Sequence, residues 1–368
     1  MSHSPRFAHG LGLTASKPDW PPLTASELEM VLGQFPNLGP LNAIEWHSPR
    51  PFSAATRVQS GQRRLIVKRQ HQSVRPLPWL LEEHRFIAHL DSQGLPVVMP
   101  LTDQAGHSAV QLGDWLYEVL PMAPGQDLYR DARSWTPFVS LAHAEAAGRT
   151  LAELHLASGS YQQPARAAQL LVANLRLFGQ PDPIAAINQA MATDPLLAAA
   201  LAGRNWADDA KQALLPFNQQ LAPRLAEQQP LWTHNDWHAS NLMWADDQVA
   251  AILDFGLADR TFALFDLATA IERNCVSWLQ PQVLADLDSV RALVAGYQHR
   301  IALPDAARQT LAALLPLVHA DFALSELKYF HGITHSASDS ELAYRYLIDH
   351  ARWFAGAEGR RLLAALIR

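Results

Sequence analysis

Two short polar segments in the second half of the chain constrain its fold more than any other feature. The first is HNDWHASN, residues 234–241, and the second is LDFG, residues 253–256. Ile252 and Leu253 are predicted to end a buried strand, and Gly256 permits a sharp change of chain direction. A strand that ends in this way would place Asp254 at the mouth of a cleft. The pattern therefore predicts a polar site that is built on short strands.

The N-terminal third of the chain is predicted to be rich in strands. Thr24 and Glu27 have the spacing of a capping box and predict a helix start. A β-rich run over 64–67 ends at Lys68, and the helix WLLEEHRFIAHL begins after Pro78. Further strands are predicted over 97–99, 108–112 and 115–120. Prolines and a glycine over 121–125 then place a lobe boundary between residues 120 and 121.

The remainder of the chain is predicted to be mainly helical. A strong helix covers 144–156, and the Ala- and Leu-rich stretch 184–225 predicts two or three helices. Short β-rich runs over 231–254 interrupt this pattern, which resumes after residue 264. We therefore predict an α+β, two-lobed fold. A small lobe with a mixed β-sheet would span 1–120, and a mainly helical lobe would span 121–368.

Composition limits the classes of protein to which the chain can belong. The 368 residues are 49% hydrophobic and carry a formal net charge of −6, so the basic footprint of a nucleic-acid-binding protein is missing. The single cysteine, Cys275, excludes an internal disulfide and is expected to be a small buried residue. No basic and apolar leader is recognised, and no apolar run reaches about 18 residues. We expect a cytoplasmic protein with no membrane partner.

The polar segments hold the residue types that phosphoryl transfer requires. A carboxylate must orient the acceptor hydroxyl and accept its proton, and Asp236 can do both. Hard oxygen ligands must hold Mg²⁺, and Asn241 and Asp254 offer one neutral and one charged ligand. These three residues form the predicted catalytic centre.

The spacing of these residues resembles a known family. His234-x-Asp236-x4-Asn241, followed by Asp254-Phe255-Gly256, is similar to the catalytic loop and metal-binding motif of protein kinases. With His238 two residues after the aspartate, the loop looks more like that of the aminoglycoside phosphotransferase and choline kinase superfamily. The resemblance covers about 43–274. It implies a kinase-like fold, ATP as phosphate donor and Mg²⁺ as cofactor.

The resemblance also assigns roles to residues outside the two segments. Lys68 matches the phosphate-binding lysine, and Glu83 matches the glutamate that pairs with it, with Glu82 as the alternative. Asp266 matches the aspartate that supports the catalytic loop, and His234 would fix the same loop through hydrogen bonds. Backbone groups near Val119 and Met122 would contact adenine.

One segment departs from the family pattern. The loop that should cover the phosphates lies near 49–56, PRPFSAAT, and contains no glycine. Ser53 is the candidate phosphate contact, and the loop is expected to be stiffer than a glycine-rich one. The choice between ATP and GTP therefore stays open.

The phosphate acceptor is the least constrained part of the prediction. His238, Trp237, Asp259 and Glu272 are candidate substrate contacts, with Arg260 and Arg273 in the same region; ordinary surface charges and helix caps are the alternative. The leading hypothesis is a kinase of a small hydroxylated metabolite, acting as a monomer or homodimer. The alternatives are a protein serine/threonine kinase, because the N-terminal pattern also resembles bacterial stress-response kinases, and a non-catalytic nucleotide-binding regulator.

Overall fold

The computed structural model describes residues 8–9, 15–16, 18–50, 52–130, 132–133, 135–168 and 170–368. Most of the N-terminal segment that we searched for a leader, and Pro51 of the phosphate loop, lie outside these ranges. The chain forms two compact units. The first comprises Met1–Gln126 and Ala250–Leu253, and the second comprises Asp127–Val249 and Asp254–Arg368. The predicted boundary after residue 120 is close to this division, but it did not include residues 250–253 in the first unit.

The first unit is built on a five-stranded sheet with the order β3-β4-β5-β7-β6. Every pairing in this sheet is antiparallel, so the prediction of a mixed sheet was wrong in this respect. The predicted strand over 97–99 is reduced to an isolated bridge between Val97 and Ile252. The strands of the unit before residue 126 are β1 (Ala8–His9), β2 (Ala15–Ser16), β3 (Leu41–His47), β4 (Ala54–Ser60), β5 (Arg63–His71), β6 (Val110–Leu112) and β7 (Trp115–Pro121).

Two helices flank the sheet. Helix α1 (Ala25–Leu32) begins with the predicted capping box, in which the side chains of Thr24 and Glu27 each accept a hydrogen bond from the other's backbone N–H. Its apolar side packs in one core with alternate residues of β4 and β5, including Val58 and Val67. Helix α2 (Leu77–Ser92) buries Glu83, as its helical periodicity predicted.

The second unit is mainly helical. Residues 183–225 form four helices where two or three were predicted, because Pro195 and Pro216 each start a new helix close to the end of the preceding one. The helices are α3 (Leu141–Ser158), α4 (Pro183–Thr193), α5 (Pro195–Leu201), α6 (Trp206–Ala213), α7 (Leu215–Leu225), α8 (Ala263–Cys275), α9 (Leu287–Gln298), α10 (Asp305–Leu314), α11 (Ala320–Gly332), α12 (Ala337–Ala355) and α13 (Ala357–Ile367). In the described part of the chain, no helix combines the length and apolar character needed to cross a membrane.

Short strands carry the two polar segments. Strand β8 (Leu231–Thr233) leads into the first segment and pairs antiparallel with β11 (Asp259–Thr261). Strands β9 (Leu242–Ala245) and β10 (Gln248–Ile252) form a two-stranded sheet. Cys275, at the end of α8, is fully buried as expected, and burial raises the pKa of its thiol, with Asp286 adding to the shift.

Helices α3 and α9 touch backbone to backbone. A Cβ atom added to Gly148 would lie 1.9 Å from the carbonyl oxygen of Leu293, and one added to Gly296 would lie 1.9 Å from that of Glu145. Only glycine allows this approach. The close contact brings the ring nitrogen Nδ1 of His155 within 2.8 Å of the Tyr297 hydroxyl, and the other ring nitrogen lies 3.1 Å from the carboxylate of Asp266 on α8.

Candidate active site

Asp266 fixes the backbone of the catalytic loop, residues 234–241. It lies in the first turn of α8 and is fully buried. Its carboxylate accepts hydrogen bonds from the backbone N–H groups of His234 and Asn235, both at 2.8 Å. Nε2 of His155 lies 3.1 Å from the same carboxylate. Asp266 therefore contacts the backbone of the loop that the family resemblance implied it would support.

Two buried asparagines that the sequence analysis missed hold the same loop. Nδ2 of Asn274 donates to the carbonyl of Trp237 at 2.8 Å, and its Oδ1 accepts from the N–H of Ala239 at 2.8 Å. Asn235 has a left-handed backbone, φ 61°, and its side-chain oxygen accepts from the hydroxyls of Thr233 and Thr261. The loop is therefore fixed from both sides, which limits movement of the residue between these anchors.

That residue is Asp236, whose carboxylate has defined partners. Nδ2 of Asn241 donates to its Oδ2 at 3.1 Å and to its backbone carbonyl at 3.0 Å. Nε2 of His238 lies 3.5 Å from Oδ2. Burial alone would raise the pKa of Asp236, but His238, then Arg273 and His234, outweigh it and hold that pKa well below its usual range. The Asp236 carboxyl group is therefore ionised at neutral pH.

The two predicted metal ligands present oxygen atoms suited to a hard cation. Because Asn241 uses its Nδ2 to hold Asp236, its Oδ1 is the atom left for an ion. Asp254 has a left-handed backbone, φ 54°, and its Oδ1 accepts from the N–H of Gly256 at 3.4 Å. The ring of Phe255 packs against His234 with the ring centres 4.8 Å apart. One amide and one carboxylate oxygen fit the preference of Mg²⁺.

The N-terminal unit places Lys68 opposite a different acid from the one predicted. Lys68 on β5 is the direct cross-strand neighbour of Glu118 on β7, with Nζ 4.0 Å from Oε1. Nε2 of His84 lies 3.1 Å from the other oxygen of Glu118. Glu83 has the ionic partner that a buried acid requires, but this partner is Arg75, at 2.7 Å. The pairing of Lys68 with Glu83, or with Glu82, stays a prediction.

The other predicted nucleotide contacts lie in the same unit. The carbonyl of Val119, inside β7, already accepts from the N–H of Leu101 at 2.7 Å, whereas Met122 follows the strand and is 38% exposed. Met122 is therefore better placed for an adenine contact. Ser53 lines a cavity of about 350 Å³ together with Trp20 and Trp46.

The predicted acceptor residues fall into separate environments. Asp259 is buried and accepts from the backbone N–H groups of Arg166 and Arg260, both at 2.7 Å, and from Nη2 of Arg176 at 2.8 Å. These contacts give Asp259 a structural role, and its contact with the acceptor stays a prediction. Trp237 is fully buried.

Glu272, in contrast, belongs to a buried polar cluster that the sequence analysis missed. We define the α8/α11/α12 cluster as Glu272, Arg273, His319, Glu326 and His350, each less than 7% exposed. Arg273 acts electrostatically on Asp236, and Asp236 acts on Glu326, so the cluster lies within electrostatic reach of the predicted base. Burial raises the pKa of Glu326 to about 8; Arg273 opposes this shift, while Asp236 and Glu272 add to it.

Solved structures with the same fold are small-molecule kinases. Amicoumacin kinase, bound to AMP-PNP and Ca²⁺, has a TM-score of 0.59 and 15% identity, with 88% of this chain and 93% of that chain covered. A microcompartment-associated aminopropanol kinase has a TM-score of 0.58 and 16% identity, with 94% and 99% covered. Spectinomycin phosphotransferase, bound to ADP and spectinomycin, has a TM-score of 0.58 and 13% identity, with 94% and 98% covered. At these identities the likeness establishes a kinase-like fold.

Sequence relatives point in the same direction. A homoserine kinase of Xanthobacter autotrophicus is 25% identical over 65% of this chain and 66% of its own length, slightly less than two thirds of that enzyme. A homoserine kinase of a Caulobacter species is also 25% identical, over 83% of this chain and 86% of its own. The model of the phosphotransferase enzyme family (APH) matches residues 52–303, more than half of the chain. The protein belongs to this family.

Proposed function

We propose that the protein transfers the γ-phosphate of ATP, with Mg²⁺, to a hydroxyl group of a small metabolite. The observation that carries this proposal is the state of Asp236: its carboxylate is ionised and is oriented by Asn241. Asp266 fixes the loop that carries it. A fixed, charged carboxylate is the group that phosphoryl transfer to an alcohol needs.

Asp236 would orient the acceptor hydroxyl and receive its proton as the new P–O bond forms. Because the transition state of this transfer is loose, most of the acceleration would come from positioning and electrostatics, and less from proton removal. His234 and Asp266 act on the reaction through the backbone of the loop. Both are therefore positioning residues.

The remaining roles concern the nucleotide. Oδ1 of Asn241 and the carboxylate of Asp254 would hold Mg²⁺, which when bound neutralises charge on the phosphates. We assign Lys68 and Ser53 to the phosphates and the backbone near Met122 to the base. The neighbours solved with AMP-PNP or ADP support the use of an adenine nucleotide, and GTP is the alternative donor to compare.

The relatives support a small acceptor. They are named as kinases of homoserine and of aminopropanol and as a spectinomycin phosphotransferase. The α8/α11/α12 cluster adds buried charge in the same unit as Asp236. A few buried polar groups can orient a small polar molecule, because desolvation strengthens each contact.

A labelled-phosphate screen tests the proposed reaction. Purified protein is incubated with γ-labelled ATP, Mg²⁺ and a panel of hydroxylated metabolites that includes homoserine and aminopropanol, with GTP as a second donor. We expect label in at least one metabolite and none in a generic basic protein. Label in the basic protein, or in no acceptor of a broad panel, would contradict the proposal. The same screen is run with the Asp236→Asn variant, and any label that it transfers at the wild-type level does not come from the proposed active site.

Replacing Asp254 by alanine is expected to weaken the binding of Mg²⁺–ATP by at least about tenfold, equal to about 1.4 kcal/mol. The reason is that Asp254 is the charged member of the two proposed Mg²⁺ ligands, and the variant keeps only the neutral Asn241. Calorimetric titration with ATP measures this change, with and without Mg²⁺. ATP binding without the ion should change little, and Asp246→Ala, at an exposed position, should match the wild type in both titrations. Equal Mg²⁺-dependence in the Asp254 variant would remove this residue from the metal site.

A further inference from the structure

Three side chains of the α8/α11/α12 cluster bring metal-ligating atoms together. Glu272 lies on α8, His319 immediately precedes α11, and His350 lies on α12. One ligand atom from each residue lies within 4.8 Å of the other two. Their exposed fractions are 1%, 4% and 6%. Three distant parts of the chain thus converge on one small buried volume.

The converging atoms lack hydrogen-bond partners among the residues that the structure describes. This holds for both carboxylate oxygens of Glu272, both ring nitrogens of His319 and Nδ1 of His350. A buried polar group without a partner costs about 1–3 kcal/mol, and a charged one costs more. Glu272 and His350 have ionic contacts but no aligned hydrogen bond, and neither ring nitrogen of His319 has a hydrogen bond, so a ligand shared by the three would satisfy them.

The shortest contact in the group is slightly shorter than the separation of two ligands of one tetrahedral ion. Nδ1 of His350 lies 3.1 Å from Oε1 of Glu272, yet the two atoms are not aligned as a hydrogen bond. Ligands placed at about 2.0–2.2 Å from a tetrahedral ion are separated by about 3.3–3.6 Å. If the lone pairs of His350 Nδ1 and Glu272 Oε1 both point toward one ion, the two atoms lie close together without the alignment of a hydrogen bond.

Neighbouring residues fix the orientation of two of these side chains. The ring of His350 stacks on Trp278, with ring centres 3.8 Å apart, and Trp278 donates its Nε1–H to the carbonyl of Glu272 at 2.8 Å. Nε of Arg273 lies 3.3 Å from Oε2 of Glu272, which leaves Oε1 toward His350. Such contacts behind the ligands are what orients a metal site before the ion binds.

The charge of the surroundings also favours a divalent cation. Glu272, Glu326 and Asp236 are acidic, and Arg273 is the cation that acts on them. Glu272, Asp236 and Arg273 together carry a charge of −1, which a bound cation would offset. A buried excess of negative charge is otherwise strongly unfavourable.

We propose that Glu272, His319 and His350 form a binding site for a transition-metal ion, with Zn²⁺ as the best match. Two imidazoles and one carboxylate suit Zn²⁺ and similar ions, whereas Mg²⁺ prefers oxygen ligands alone. The site is separate from the proposed Mg²⁺ ligands Asn241 and Asp254 and binds its ion without nucleotide. The fourth position of the ion is left for water or for a group of the acceptor.

Zinc titration of metal-free protein tests the site. Protein purified without a polyhistidine tag is stripped with a chelator and titrated against a chromophoric zinc indicator, with no nucleotide or acceptor present. We expect one tight equivalent, and a loss of affinity of at least about 100-fold in the double variant His319→Gln/His350→Gln. His299→Gln is the matched control, since His299 is exposed and lies outside the cluster, and it should bind like the wild type.

Co²⁺ gives a second measurement that does not depend on the folding of a variant. Wild-type protein loaded with Co²⁺ should show visible absorption of a low-coordinate ion, which Zn²⁺ removes and Mg²⁺ does not. The proposed site would be overturned if the wild type bound no tight equivalent of Zn²⁺, or if the double variant kept the wild-type affinity. Absence of the Co²⁺ spectrum in the wild type would also overturn it. Because nucleotide is absent throughout, a zinc-loaded protein that fails the labelled-phosphate screen would contradict only the proposed reaction.

Discussion

The variant Asp236→Asn is expected to lose about 10²- to 10⁴-fold in kcat while its affinity for ATP changes little. Asparagine keeps the size of the side chain but cannot accept the proton of the acceptor hydroxyl. It also removes the negative charge that His238, Arg273 and His234 stabilise. Steady-state kinetics with the acceptor found in the screen measures kcat, and calorimetry with ATP measures the affinity.

A neighbouring exposed aspartate supplies the control for this experiment. Asp246 lies in the turn between β9 and β10, and Asp246→Asn should keep wild-type kcat. An Asp236→Asn variant that retains more than about a tenth of wild-type kcat would remove Asp236 from the role of base.

The depressed pKa of Asp236 sets the sign of its pH dependence. The carboxylate stays ionised in the folded protein as pH falls through the ordinary range for aspartate, near 3.9. The group therefore contributes stability above that range, which is lost only as pH falls toward the lower folded-state pKa. An acidic limb of kcat close to neutral pH would have to come from another group, such as Glu326, whose pKa is raised to about 8.

Features set by short-range physics could be predicted from the sequence. The capping box of Thr24 and Glu27 depends on residues three positions apart, and the burial of Glu83 depends on the period of its own helix. The contact between Asp236 and Asn241 is local for the same reason, because both residues lie in one short loop; the catalytic centre that they would form with Asp254 stays a prediction.

The partners of buried charges could not be predicted in this way. Glu83 pairs with Arg75 and Lys68 faces Glu118, because sheet register and helix docking decide which side chains meet. Asp259 gave no sequence signal of its contacts with Arg166, which is far away in the chain.

The α8/α11/α12 cluster shows the same limit for a whole site. Helix α11 and part of α12 separate His319 from His350 in the sequence, and both histidines are far from Glu272 in the sequence. Neither histidine forms the short helical pair by which metal sites are recognised in sequence. Only the packing of α8, α11 and α12 brings the three together.

Asp266→Ala is expected to lower the free energy of unfolding by about 3–5 kcal/mol and to reduce kcat as well. The carboxylate is fully buried, and its removal leaves the N–H groups of His234 and Asn235 and the ring of His155 without their acceptor. Urea denaturation at neutral pH measures the free energy, and the labelled-phosphate assay measures kcat. The loss of kcat follows because a small displacement of the loop would misplace Asp236.

A control variant shows whether the loss of stability comes from the lost contacts with the loop or from the removal of any acidic side chain. Asp305→Ala, at an exposed position in the first turn of α10, should cost less than about 1 kcal/mol. In a double-mutant cycle, His155→Ala should add much less in the Asp266→Ala background than in the wild type, since the two side chains share one interaction. Strict additivity of the two changes would show that His155 does not support Asp266, and an unaffected kcat in Asp266→Ala would show that the loop keeps its position without this carboxylate.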